Sequence, residues 1–152
     1  MKDMANIELK IATTKDLFVL NSLYANMYNS ELLSKSKIHE LWQKIQQIPE
    51  YYIYLAYLND KVIGTFSLIF LPTIIYPEFH KTAILDVVTV HSNYRGQGWG
   101  SMMIKKALKI SADANCYKVT LSSSLHRDRA HKFYQSLGFK QHGFSFSYQL
   151  NH

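Results

Sequence analysis

The chain has 152 residues, the length of one ordinary domain. Hydrophobic residues make up 47% and charged residues 18%, a globular balance that excludes intrinsic disorder. The net charge of +6 favours an anionic partner, and the single cysteine excludes a disulfide framework or thiolate zinc cluster within the chain.

In chain order, Ile7–Ala12 alternates apolar and polar residues and predicts a strand. Thr13 or Thr14 caps a helix to about Tyr28, with Leu17, Leu20, Leu23, Tyr24 and Met27 on one face. Ser34 or Ser36 opens a second helix with Ile38, Leu41, Trp42 and Ile45 inward, and Pro49 follows its end. Tyr51–Leu58 and Lys61–Leu71 are rich in β-formers and flank the Asn59-Asp60 turn, which predicts a hairpin. Pro72 and Pro77 bracket a loop. Thr82–Val90 is apolar on both faces except at Asp86, as in a central buried strand. A glycine-rich turn then leads to a helix from about Trp99 to Ala114, a strand over Tyr117–Ser123, and a helix over Arg127–Leu137 ended by Gly138. In Phe139–Leu150, Phe144, Phe146 and Tyr148 alternate with Ser145, Ser147 and Gln149, predicting one or two last strands. This order predicts an α/β (α+β) mixed sheet with helices on both faces.

The charge is uneven. Met1–Glu78 holds seven basic and eight acidic residues, whereas Phe79–His152 holds ten and three. A solvated surface with a chance bias accounts for this by itself; a phosphate-bearing ligand in the C-terminal half is the sharper account. Nucleic acid is a third, but no Lys/Arg run, aromatic–basic signature or zinc-finger spacing accompanies it. Met1–Lys10 lacks the apolar core of a secretory signal. The apolar stretch Val62–Tyr76 is broken by Gly64, Ser67 and Pro72 and falls short of the ~20 residues of a membrane helix. The expectation is one soluble, cytoplasmic domain over residues 1–152, with no nucleic-acid or membrane partner.

The most informative segment runs Val88-Thr89-Val90-His91-Ser92-Asn93-Tyr94-Arg95-Gly96-Gln97-Gly98-Trp99-Gly100-Ser101, between a strand and a helix. Its glycines let backbone amides face a ligand, and the helix start adds unpaired N–H groups and a positive dipole end. That combination is a seat for phosphate or diphosphate, to which Arg95 adds charge. A P-loop needs Gly-Lys-Ser/Thr, and no lysine stands between Gly100 and Ser101. A Rossmann turn needs G-x-G-x-x-G early in the chain with an acid about 20 residues on; here the spacing is G-x-G-x-G, late, with no such acid. What remains is Arg-x-x-Gly-x-Gly at a strand–helix junction.

That loop resembles the signature of the GNAT acetyltransferase superfamily. The resemblance continues through Asn115-Cys116-Tyr117-Lys118-Val119-Thr120-Leu121 and Arg129-Ala130-His131-Lys132-Phe133-Tyr134-Gln135-Ser136-Leu137-Gly138-Phe139. It covers Ile84 to Phe139; before that, only the order of elements agrees. The Cys-Tyr-Lys stretch and the Asp86 strand are similar to the glucosamine-phosphate acetyltransferases and to many small bacterial members.

The resemblance implies a sheet that is mostly antiparallel, with two parallel strands, Thr82–Val90 and Tyr117–Ser123, splaying apart around acetyl-CoA. The pantetheine arm is then expected along Val88, Thr89 and Val90. The diphosphate is expected on the amides of Arg95, Gly96, Gln97, Gly98, Trp99, Gly100 and Ser101, with the Trp99 ring as a core anchor. Amine acetylation requires a proton for the departing thiolate, and a tyrosine of pKa about 10 can give it. Tyr134 matches the family's acid, although a packing role also suits its place in the helix. Asp86 is the candidate base, and an ion pair or a bond to the sheet edge is its structural alternative. Arg127, Arg129 or Lys132 is a candidate to reach the outer phosphates of CoA, with a solvated helix face as the alternative for each. Glu31, Glu40 and Glu50 are candidates to bind a cationic amine, and Tyr24, Tyr28 and Trp42 to line its pocket, with a surface or core place as the alternative for each. No His/Asp/Glu spacing suggests a metal, and Cys116 reads as a small buried hydrophobe. The implied activity is transfer to a primary amine of a small molecule, in a chain that often pairs as a homodimer in this family. A non-catalytic acyl-CoA-binding module is the alternative.

Overall fold

The computed structural model describes residues 6–75, 78 and 81–150. Its elements are β1 (Glu8–Ile11), a 3-10 turn (Thr14–Asp16), α1 (Leu17–Tyr28), α2 (Lys35–Gln46), β2 (Tyr51–Leu58), β3 (Lys61–Pro72), β4 (Lys81–Val90), a second 3-10 turn (Ser92–Tyr94), α3 (Trp99–Asp113), β5 (Cys116–Thr120) and α4 (Asp128–Ser136). They divide into two compact units, Met1–Leu121 and Ser122–His152.

The first unit contains a five-stranded sheet in the order β1-β2-β3-β4-β5. The first three pairings are antiparallel and β4–β5 is parallel, so the mixed α/β sheet expected from the order of elements is present. Asn59 and Asp60, with φ of 48° and 64°, make the tight turn between β2 and β3. Left-handed residues suit such a turn because their twist matches that of the flanking strands. The Thr13 amide donates to Asp16 Oδ2 at 2.7 Å and closes the first helical turn. The Lys37 amide donates to Ser34 Oγ at 3.3 Å, so Ser34 is the cap of α2.

Leu55, Ile63, Phe66, Leu68 and Leu85 fill the sheet's buried core, and Met103, Ile104 and Ala107 of α3 are equally buried. Burying each large side chain stabilises the fold by about 1.5–3 kcal/mol. This burial holds the start of α3 at the end of β4, where the glycine-rich turn lies. No helix among the described residues is long and apolar enough to cross a membrane.

The second unit contains α4 and an irregular tail. The expected last strands are not formed. Residues 139–150 join no β ladder, and Phe144, Phe146 and Tyr148 are 81%, 91% and 89% exposed. The alternating pattern supplies one apolar face, but a strand exists only where a neighbouring strand takes up its N–H and C=O groups. Pro72 ends β3 and irregular backbone follows over 73–75, as expected of the start of a loop, while Pro77 lies outside the described residues.

Candidate active site

The geometry of the first unit turns on β4. Ser67 pairs with Asp86 and Thr65 with Thr89, so Val87 and Val88 together oppose Phe66 alone. This is a β-bulge, and Val87 takes a φ of 48° within it. Asp86 is exposed at the bulge, not buried as an interruption of a core strand. Its Oδ1 accepts the Val87 amide at 2.8 Å, and its carbonyl accepts Ser67 Oγ at 3.2 Å. The carboxylate therefore needs no buried ion pair to account for it.

Beside the bulge the sheet opens. The parallel pairing of β4 with β5 ends at Ile84 opposite Thr120, while β4 continues to Val90 with β3 on one side only. Val88, Thr89 and Val90 all lie on this extension. Beyond it, the second 3-10 turn leads to Gly96 and Gly98, whose φ angles of 72° and 88° require glycine. A Cβ on either would meet no atom within 4 Å, so both face open space. Gly98 is the N-cap of α3, and the first helical bond runs from the Met102 amide to the Gly98 carbonyl at 3.2 Å. The amides of Trp99, Gly100 and Ser101 precede that bond and form the bare positive end of the helix.

Arg95 has a more structural part than its charge alone suggested. Its Nε donates to the Val90 carbonyl at 2.8 Å, and its Nη2 reaches Asn26 Oδ1 of α1 at 3.5 Å. Asn26 also accepts the Ser92 amide at 3.4 Å, which fastens α1 to the turn. Asn26 was not singled out from the sequence; a polar residue on an amphipathic helix gives no such signal. Trp99 is half-buried, with its indole N–H on Gln97 Oε1 at 3.4 Å, so it is not the core anchor expected.

Between α1 and α2 lies a cavity of about 290 Å³. Tyr24, Tyr28, Trp42 and Glu31 all border it, as expected of an acceptor wall. Trp42 is also core, its indole N–H donating to Thr14 Oγ1 at 3.2 Å. Burial pushes the Tyr24 phenol up to about 12, against a hydrogen bond with Thr65. The negative charge of Asp86 acts on the same phenol. The other two carboxylates are taken by lysines. Glu40 binds Lys44 and Lys37 at 2.7 and 3.1 Å, which hold its carboxyl below the usual range. Glu50 pairs with Lys81 and raises the Lys81 ammonium.

In the second unit Tyr134 is half-buried in α4, its ring between those of Phe133 and Phe139 at 5.2 and 5.6 Å. His131 Nε2 is 2.9 Å from the Ser124 carbonyl. Arg127 precedes α4, while Arg129 and Lys132 are exposed on it. Cys116 is half-buried at the start of β5, where burial pushes its thiol up. Among the described residues no group of three His, Cys, Asp or Glu is placed to hold a metal ion.

A family model described as acetyltransferase (GNAT) matches residues 19–139, from within α1 to the residue after Gly138. The chain belongs to that family, and it is an acetyl-CoA-dependent N-acetyltransferase. It is similar, at 28% identity, to the glucosamine 6-phosphate N-acetyltransferase of Trypanosoma brucei brucei, over 93% of this chain and 95% of that one. It is similar at 27% to the aminoalkylphosphonate N-acetyltransferase of Salmonella typhimurium, over 94% and 91%. A solved Agrobacterium tumefaciens protein assigned as an acetyltransferase superposes with a TM-score of 0.87 at 28% identity, over 94% and 99% of the two chains.

Proposed function

We propose that this protein moves the acetyl group of acetyl-CoA directly to the primary amine of a small cytoplasmic molecule, and that residues 1–152 act as one domain. The observation that carries the proposal is the end of β4. There a strand that has lost its parallel neighbour leads through the second 3-10 turn to the amides that precede the first bond of α3. The residues present fit a thioester carrier. Val88, Thr89 and Val90 would take the amides of its arm, and the backbone from Arg95 to Ser101 would take its diphosphate. A family match that spans both units supports the one-domain reading.

In the transfer, the neutral amine nitrogen bonds to the acetyl carbon and the carbon–sulfur bond breaks. The amine gives up a proton and the departing sulfur gains one. We assign the first proton to Asp86, through water, and the second to the Tyr134 hydroxyl. Asp86 suits its part because it is exposed and fixed by the Val87 amide. Tyr134 suits its part because packed aromatic rings hold its side chain.

Initial rates over a grid of acetyl-CoA and amine concentrations test direct transfer. Intersecting double-reciprocal lines are expected, and parallel lines would reveal an acetyl-enzyme and overturn it. Calorimetric binding of acetyl-CoA with no thiol released by any amine would instead leave the non-catalytic module.

A further inference from the structure

The cavity between α1 and α2 has a composition that discriminates among amines. We propose that it holds an apolar body of the acceptor, so that this protein prefers aromatic or alkyl monoamines without an anionic group over phosphorylated or phosphonylated ones. This rests on the acetyl-transfer reading above and adds the substrate class to it.

Leu20, Leu41, Trp42, Ile45 and Ile53 supply the walls. The volume, about 290 Å³, is at the small end of the roughly 300–1,000 Å³ typical of ligand sites. The polar groups of the wall are largely committed. The Asn21 amide donates to the Leu33 carbonyl at 2.9 Å and accepts the Leu33 amide at 3.0 Å. The Trp42 indole N–H is bound to Thr14. No lysine or arginine lines the cavity among the described residues. A phosphate entering it would surrender its hydration with no lysine or arginine to replace it, a cost of several kcal/mol or more. An alkyl chain or aromatic ring faces no such cost and gains burial.

Two further observations orient the occupant. Glu31 stands on the rim, and among the described residues no cation is within ion-pairing distance of it, unlike Glu40 and Glu50. It is a fixed negative charge at the mouth, suited to attract an ammonium. Tyr24 forms both cavity wall and a link to the reacting strand. It lies close enough to Thr65, whose register partner is Thr89 of β4, for the two hydroxyls to interact. Glu31 and Tyr24 thus offer polar partners to an amine whose apolar body fills the cavity. The two curated relatives reported above act, by their names, on phosphate- and phosphonate-bearing amines, so the proposal separates this chain from them.

The test is thiol release from acetyl-CoA with 2-phenylethylamine, n-hexylamine, glucosamine 6-phosphate and 2-aminoethylphosphonate, each at matched concentration. We expect kcat/KM for the first two to exceed the others by at least about 10-fold. Preference for either phosphorus-bearing amine overturns the inference while leaving acetyl transfer intact. Ile45→Lys should cut kcat/KM for 2-phenylethylamine by about 10-fold, with acetyl-CoA affinity by calorimetry serving as the check on folding. Retention of full activity by a variant that still binds acetyl-CoA also overturns it. If no amine is acetylated, acetyl transfer fails on its own. Calorimetry then decides the cavity: 2-phenylethylamine binding that Ile45→Lys abolishes supports it, and no binding overturns it.

Discussion

Tyr134 and Phe139 are joined twice: their rings meet edge-on at 5.6 Å, and the Phe139 amide donates to the Tyr134 carbonyl at 3.1 Å. The Gly138 amide donates to Gln135 at 3.0 Å, and Gly138 has a φ of 92°. This is a glycine-terminated helix end with its accompanying apolar contact. Much of Phe-Tyr-x-x-x-Gly-Phe is thus explained by capping, leaving the Tyr134 hydroxyl as the part that capping does not need. Tyr134→Phe should keep the acetyl-CoA Kd while lowering kcat about 10²-fold. Gly138→Ala should destabilise by about 1 kcal/mol in urea unfolding. An unchanged kcat in Tyr134→Phe removes that hydroxyl from the chemistry.

Asp86 serves its bulge through one oxygen, which accepts the Val87 amide. An asparagine can accept the same bond. Asp86→Asn is therefore expected to fold as stably as the parent but to lose at least about 10-fold in kcat, whereas Asp86→Ala should lose about 1 kcal/mol as well. Chemical denaturation beside steady-state kinetics separates the two effects, and full activity in Asp86→Asn would dismiss it as a base.

Arg95 ties the turn to Val90 and to Asn26. Arg95→Ala should weaken acetyl-CoA binding about 10-fold, in line with the loss of a charged hydrogen bond. Asn26→Ala should do less, and the double variant should fall short of the sum because both act through one contact. Additive losses in calorimetry would show the two residues to be independent.

Burial raises Tyr24 from its ordinary 10.0 to about 12. The unfolded chain then gives up this proton first as pH rises. The stability it contributes is complete below about pH 10 and is lost between about 10 and 12, on the order of 2 kcal/mol in all. Tyr54 is also raised by burial, so the comparison with Tyr24→Phe isolates the effect. Tyr24→Phe should flatten the fall in melting temperature over that window; an identical alkaline profile would refute the assignment.

What could be foreseen from the sequence follows from how local each cause is. Asn59-Asp60 and Gly98 announce their turns because few residues tolerate left-handed backbone. The cap at Ser34 is equally local. The bulge could not be foreseen: Val87 is among the residues least suited to a φ of 48°, and only the register between β3 and β4 imposes it. The exposure of Asp86 follows from that register as well. The pairing of Glu50 with Lys81 joins positions far apart in the chain and left no trace in either segment. The aromatic alternation of the tail promised a strand, but alternation describes faces and does not provide a partner.

The wrong-handed valine has a cost for robustness. A side chain at that backbone angle is worth roughly 1–2 kcal/mol against the fold, and glycine at position 87 would remove it. The easiest repair for a sturdier molecule would therefore also free the crook that turns a carboxylate outward, setting durability against the role proposed for Asp86 at a single codon.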